Sequence, residues 1–195
     1  MRFGIRLFVL AALGLLAVEP GRAAADWLIT PFAGANFGGN TGDKKFNVGG
    51  SIGSMGAGIL GGEIDFGFAP DFFDRGGNTK LVSSSHVLTL MGNVIIGAPI
   101  GGQRGPGLRP YVVGGLGLIR PEVKDAADVF TVKHTDFGGD IGAGLIIFFA
   151  DRVGIRGDFR YFRSFKHSEG ANGFDIDFSG FNFSRATGGI VFRFP

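Results

Sequence analysis

Polar and apolar residues alternate with a period of two along most of this 195-residue chain, and this alternation limits the fold more than any other feature. In the segment 154–164, three charged residues share one face and three large apolar residues share the other: Arg156, Asp158 and Arg160 against Ile155, Phe159 and Tyr161. Successive side chains of a β-strand point to opposite faces, whereas a helix repeats its apolar residues every three or four positions. No stretch sustains the helical repeat, so the sequence predicts an all-β protein.

Eight alternating runs are separated by turn-forming Gly, Pro, Asn and Asp residues. They cover residues 27–37, 46–55, 59–69, 80–96, 109–120, 134–149, 153–165 and 177–194. An even number of strands, about 10 residues long and joined alternately by long loops and short turns, is typical of a transmembrane barrel. The sequence therefore predicts an eight-stranded antiparallel up-and-down transmembrane β-barrel. The connection 97–108 is an exception, because it is long on the side where turns should be short.

The segment 81–103 carries no charged residue and could be taken for a membrane-spanning helix. It contains three consecutive serines and a Gly-Ala-Pro sequence, and its large apolar residues alternate with Thr89, Met91 and Asn93. These features favour a strand.

The first 25 residues have the pattern of a secretory signal peptide. Arg2 and Arg6 precede an apolar stretch at 7–18, and Ala23, Ala24 and Ala25 form a small-residue cleavage site. The apolar stretch is shorter than the roughly 20 residues that a membrane-spanning helix needs. We therefore expect residues 1–25 to be removed by cleavage after Ala25, which leaves one domain at 26–195; an uncleaved anchor is the alternative.

Removing this segment takes away three of the 19 basic residues and one of the 17 acidic residues, so the mature chain carries 16 of each. No basic cluster remains, which argues against a nucleic-acid partner. Cysteine is absent, so no disulfide framework or thiolate metal site can form.

Seven charged residues fall near the middle of the predicted strands and are flanked by glycines. We predict that they form a charge network in the lumen: Glu63, Asp65, Asp140, Arg156, Asp158, Arg160 and Arg185. A soluble barrel would turn such charges to water, whereas a membrane barrel has a polar lumen and an apolar outer face. Glycine next to charge suits the narrow interior of eight strands, so we expect the apolar face to contact lipid.

Aromatic residues cluster at the predicted strand ends. Those near the long loops are Phe68, Phe72, Phe73, Phe162, Phe165, Phe178, Phe181 and Phe183, and those near the short turns are Trp27, Phe148, Phe149, Phe192 and Phe194. Two belts of aromatic residues at opposite ends are typical of the membrane interface. We therefore predict two aromatic girdles.

Three segments carry a resemblance to a known family: GILGGEIDFGFAPDFF at 58–73, RPYVVGGLG at 109–117 and GIRGDFRYFR at 154–163. They resemble the small bacterial outer-membrane β-barrel domain family, which is porin-like and related in fold to the opacity proteins and the transmembrane domain of outer-membrane protein A. The resemblance implies an eight-stranded barrel in the bacterial outer membrane, surrounded by lipid and inserted by the outer-membrane assembly machinery. Members usually end in an aromatic residue, whereas here Pro195 follows Phe194.

The resemblance carries no shared catalytic residues, so it implies a fold and a location without a reaction. We expect a non-enzymatic protein with a structural or surface role, no cofactor, and a surface ligand that the sequence does not identify. The lumen charges have two interpretations, because they could close the lumen as a plug or line a narrow porin-like channel for small solutes. Eight strands leave an interior that side chains just fill, which favours the plug.

An outer-membrane lipid hydrolase is a remote alternative. It would need a Ser, a His and an acid, and these occur consecutively as His167, Ser168 and Glu169, where neighbouring side chains diverge. The three histidines, His86, His134 and His167, show no metal-ligand spacing, so the sequence predicts no metal site.

Overall fold

Eight long antiparallel strands form the structure, each paired with the next along the chain. The computed structural model describes residues 25–41, 44–70, 72, 82–101, 105–125, 131–133, 135–168, 175–177 and 180–194. The strands are β1 (Asp26–Phe37), β2 (Lys45–Gly56), β3 (Leu60–Pro70), β4 (Val82–Gly97), β5 (Gly107–Asp125), β6 (Asp136–Phe148), β7 (Val153–Ser164) and β8 (Asn182–Phe194). Residues 1–24, which hold most of the predicted signal peptide, lie outside this description.

The last strand pairs with the first, as in the pair Trp27 and Phe194, and this pairing closes the sheet into a barrel. The predicted eight-stranded antiparallel barrel is confirmed. The two largest boundary errors are equal in size: β8 begins at Asn182 rather than at residue 177, and β5 ends at Asp125 rather than at residue 120. Three short strands extend the loops: Thr131–Lys133 pairs with β5, and Lys166–Ser168 pairs with Asp175–Asp177.

The segment 81–103 contains the strand β4, as its alternation predicted. Among the described residues there is no helix long and apolar enough to cross a membrane.

The ladder between β4 and β5 continues into the connection 97–108, so part of this connection is paired. The Ala98 N–H donates to the Pro110 carbonyl at 2.9 Å, and Ile100 and Leu108 exchange two backbone hydrogen bonds of 2.8 and 2.9 Å. The pairing of these two strands therefore extends to Ile100 and Leu108, and on the β4 side it continues past the pair of Leu60 and Ile96 at the end of β3.

Large apolar side chains cover the outside of the barrel. On this face Ile64, Phe66, Ile141, Phe159, Tyr161 and Ile190 are exposed, and Leu145 is half-buried. The prediction of an apolar outer face is therefore confirmed at these positions. For β5 the sequence left the facing undecided, and the structure turns Arg109, Tyr111 and Val113 inward and Val112 and Leu116 outward.

Inside the barrel, two apolar layers enclose a charged layer. The layer near the short turns, the turn-side layer, contains Leu28, Met55, Ile95, Tyr111, Val113, Ile146, Phe148 and Val191. The layer near the long loops, the loop-side layer, contains Ala69, Phe72, Val87, Met91, Ile119, Phe162 and Phe183.

Part of the girdle prediction is wrong, because some of the predicted girdle residues belong to these inner layers. Phe72, Phe148, Phe162 and Phe183 are almost completely buried, so they fill the lumen instead of meeting the membrane interface. At Phe148, Phe162 and Phe183, which lie in strands, alternation explains the error, since an aromatic residue at a strand end can point to either side. Phe73 and Phe178 lie outside the described residues.

Candidate functional site

The charged layer brings together all seven residues that the sequence singled out. Glu63 and Asp65 lie on β3, Asp140 on β6, Arg185 on β8, and β7 carries the other three: Arg156, Asp158 and Arg160. Each of the seven side chains is at most 5 % exposed. Their inward direction follows from the alternation, because every second residue of a strand faces the lumen and all seven occupy such positions.

Arg160 lies at the centre of the network and contacts all four carboxylates. Its Nη2 is 2.7 Å from Glu63 Oε1 and its Nε is 2.6 Å from Asp158 Oδ1. Its Nη1 lies between two further acids, 3.3 Å from Asp140 Oδ2 and 3.7 Å from Asp65 Oδ2. One guanidinium therefore joins side chains from β3, β6 and β7.

Arg156 joins the network to the turn-side layer. It donates to Glu63 and, at 3.2 Å, to Asp158, while its Nε donates to the Tyr111 hydroxyl at 2.7 Å. The Tyr111 hydroxyl in turn donates to Asp158. The Arg156 guanidinium also lies 4.8 Å from the centroid of the Tyr111 ring. Tyr111 thus belongs to the apolar layer through its ring and to the charged layer through its hydroxyl.

Arg185 joins the network to the loop-side layer. Its Nη2 is 2.8 Å from both carboxylate oxygens of Asp65. The same guanidinium lies 4.9 Å from the ring centroid of Phe32 and 4.8 Å from that of Phe162. A buried cation held by a carboxylate and two aromatic faces is strongly restrained.

Three polar residues in contact with the network were missed by the sequence prediction: Tyr111, Asn93 and Ser51, whose hydroxyl accepts a hydrogen bond from Arg156 Nη1 at 3.4 Å. Tyr111 lies on β5, where small residues on both faces left no alternation signal for its direction. Asn93 lies on β4: with its amide oriented to satisfy both neighbours, its nitrogen donates to Asp140 Oδ1 at 2.8 Å and its oxygen accepts from Arg160 Nη1 at 2.6 Å. The signal for Asn93 was its position on the same face of β4 as Thr89, between large apolar residues of the other face.

The free space beside the network is small. A cavity of about 10 Å³ lies against Asp65, Arg156 and Arg160, and its other lining residues are Thr30, Phe32, Ser51, Asp158, Thr187 and Gly189. That volume corresponds to about one water molecule.

The remaining sequence candidates lie elsewhere. The side chains of His167 and Ser168 and all of Glu169 and His134 lie outside the described residues. His86 Nε2 is 3.5 Å from Glu122 Oε2, near the loop end of β4 and β5. In the described part of the chain, no three His, Cys, Asp or Glu side chains are grouped so that they could hold a metal ion.

Comparison with known proteins connects this barrel to a family. The sequence profile of the outer membrane protein beta-barrel domain matches residues 8–194, nearly the whole chain. No curated protein matches the chain in sequence.

Several solved structures share the fold. Neisserial surface protein A is 17 % identical with a TM-score of 0.61, and 87 % of this chain covers 97 % of that one. The N-terminal β-barrel domain of OprF from Pseudomonas aeruginosa is 18 % identical with a TM-score of 0.55 over the same shares of the two chains. The attachment invasion locus protein Ail of Yersinia pestis is 10 % identical with a TM-score of 0.55, and 87 % of this chain covers 98 % of that one.

Proposed function

Since the chain belongs to the outer membrane protein beta-barrel domain family, we propose that it is a non-enzymatic structural or surface-interaction protein whose lumen is plugged. It is a β-barrel protein of the bacterial outer membrane, and the finer role is our proposal. The observation that carries the proposal is the stack of three layers along the lumen, in which paired charges lie between two apolar layers.

The packing inside the lumen supports the plug. A conducting path needs a continuous column of water, and the space beside the charged layer holds about one water molecule. The loop-side layer is closed by Phe72, whose ring centroid is 5.2 Å from that of Phe183, next to the stacked rings of Phe162 and Phe183 at 4.9 Å. An ion would have to displace these rings and then separate buried ion pairs.

If the lumen does not conduct, the surfaces left for function are the outer wall and the loops. The apolar wall supports outer-membrane lipid as a partner, and the fold supports insertion by the outer-membrane assembly machinery. We propose that the long loops face outward from the cell and carry any surface ligand, because barrels of this kind place their short turns in the periplasm.

The N-terminal segment belongs to the same proposal. Cleavage after Ala25 would start the mature chain at Asp26, which is also the first residue of β1. N-terminal sequencing of the protein from outer-membrane fractions should find Asp26 first. A protein that retains the apolar segment 7–18 would instead be anchored as well as inserted.

Single-channel recording in planar bilayers tests the plug against the porin-like alternative. The wild-type protein should show no large, steady conductance. Glu63→Ala combined with Arg160→Ala removes the central ion pair and should give more frequent openings than wild type. A large, steady conductance of the wild-type protein would contradict the plug and support a narrow channel for small solutes.

A further inference from the structure

The junction between β1 and β8, which we call the closing seam, is interrupted in its middle. Ladder pairs run from Trp27 and Phe194 to Ile29 and Phe192, and pairing resumes at Phe32 and Gly189. The residues between them, at 30–31 and 190–191, form no ladder pairs with each other across the seam, although each pairs with its other neighbouring strand. Among the described residues of the other seven junctions, the one irregularity lies at Val82–Ser84, near the loop end of β4.

Pro31 explains the interruption. Proline has no N–H to donate to a ladder and is normally confined to sheet edges or bulges. A closed barrel has no edge, so Pro31 removes a donor from a junction that is otherwise continuous. Pro110 in β5 does not have this effect, because it keeps its pair with Leu145 and accepts a hydrogen bond from Ala98.

Outside the barrel, large side chains lie opposite each other on the turn side of the gap, as Ile29 and Phe192 do, but not on its loop side. Next to the gap, Ala33 lies opposite Gly188, and Gly188 lies opposite Gly157 on the neighbouring strand. A Cβ atom added to either glycine would meet no atom within 4 Å. Other junctions carry large cross-strand pairs on the outer face, such as Ile52 with Ile64. Such pairs contribute to the stability of a sheet.

Packing inside the barrel is also incomplete at this place. The cavity of about 10 Å³ beside the charge network is lined by residues from both sides of the closing seam: Thr30 and Phe32 on β1, and Thr187 and Gly189 on β8. The wall here therefore lacks two ladder pairs and has a small cavity on its inner side.

Both ends of the closing seam are held more firmly. Near the turns, Trp27 pairs with Phe194, and Arg193 Nη1 lies 3.8 Å from Asp26 Oδ2. Towards the loops the ladder is continuous from Phe32 to Phe37, and the Arg185 guanidinium of β8 stacks on the Phe32 ring of β1.

We propose that the barrel wall opens locally in the middle of the closing seam, around Pro31 and Ile190, while both ends stay paired. The opening connects the small cavity beside the charge network with the membrane side of the wall, since apolar layers close both ends of the lumen. This inference concerns the wall and does not depend on whether the lumen conducts.

Amide hydrogen exchange, followed by mass spectrometry on the full barrel in detergent micelles, tests the proposal. Peptides covering 187–192 should exchange faster than peptides covering 62–66, which lie in an uninterrupted junction. Pro31→Ala and Pro31→Val restore an N–H and should slow exchange at 187–192 by about three- to tenfold, the effect of one backbone hydrogen bond. Neither change should alter exchange at 62–66.

Pro110→Ala is the matched control, because it also adds an N–H within a strand but in an uninterrupted ladder. It should leave exchange at 187–192 unchanged. Equal protection of 187–192 and 62–66 in the wild-type protein would overturn the proposal. So would unchanged exchange at 187–192 in both Pro31 variants.

Discussion

Arg160 Nη2 lies 2.7 Å from Glu63 Oε1 and joins two strands on opposite sides of the barrel. β7 and β3 are four strands apart in either direction around the closed sheet. The side chains therefore span the whole lumen, and the network connects strands that the backbone ladder leaves far apart.

Removing one member of this network should destabilise the barrel strongly. Glu63→Gln removes a carboxylate that pairs with both Arg156 and Arg160 and leaves only Asp158 shared between them. Leaving a buried charge without its partner costs about 3–5 kcal/mol. Arg156→Ala should have an effect of similar size. Lys44→Ala, at an exposed position outside the lumen, is the control and should change stability by less than about 0.5 kcal/mol. Urea unfolding from lipid vesicles, followed by the fluorescence of Trp27, the only tryptophan, measures all three. Equal effects of Glu63→Gln and Lys44→Ala would contradict a structural network.

The two tyrosines of the chain offer a matched test of the hydroxyl at Tyr111. Tyr111→Phe removes a group that bonds both Asp158 and Arg156, and a lost hydrogen bond to charged partners should cost about 1.5–3 kcal/mol. Tyr161→Phe, on the exposed outer face, should change the free energy of unfolding much less. If Tyr111→Phe changed the free energy of unfolding as little as Tyr161→Phe does, Tyr111 would act through its ring alone.

Adjacent residues on β2 test which face meets lipid. Ser51 is buried in the lumen and Ile52 is exposed outside. Because the chain has no cysteine, spin labels attached to Ser51→Cys and Ile52→Cys report each position separately. Oxygen dissolved in the bilayer should relax the label at 52 much more than the label at 51. The reverse order would invert the assignment of the two faces for the whole strand.

Glycines on the two faces should differ in their tolerance of a methyl group. At Gly117, which faces the lumen, an added Cβ would lie 2.1 Å from the Leu90 carbonyl oxygen and 2.6 Å from Met91 Sδ. Gly117→Ala should therefore cost about 1–3 kcal/mol through overpacking. Gly157→Ala meets no neighbouring atom and should be close to neutral. Thermal unfolding in micelles compares the two, and a harmless Gly117→Ala would show that the lumen can expand.

The strands and their facing were predictable because alternation is local. Arg156, Asp158 and Arg160 define the inner face of β7 without any knowledge of its neighbours. The facing of β5 was not predictable from alternation, because Gly114, Gly115 and Gly117 place small residues on both faces.

Which residues share a layer, and which charges pair, depends on the register between neighbouring strands. The sequence of a single strand does not specify that register. Phe162 and Phe183 stack because β7 and β8 pair in one register. The interruption at Pro31 could be suspected from the proline, but its place in the closing seam follows from the closed topology.

The ion pairs across the lumen also have a mechanical consequence. An empty ring of eight strands can flatten into an ellipse when the surrounding bilayer stretches or changes thickness. Here, flattening would move β3 and β7 relative to each other and would separate Glu63 from Arg156 and Arg160. Because separating these buried ion pairs costs free energy, they oppose flattening of the barrel under lateral tension.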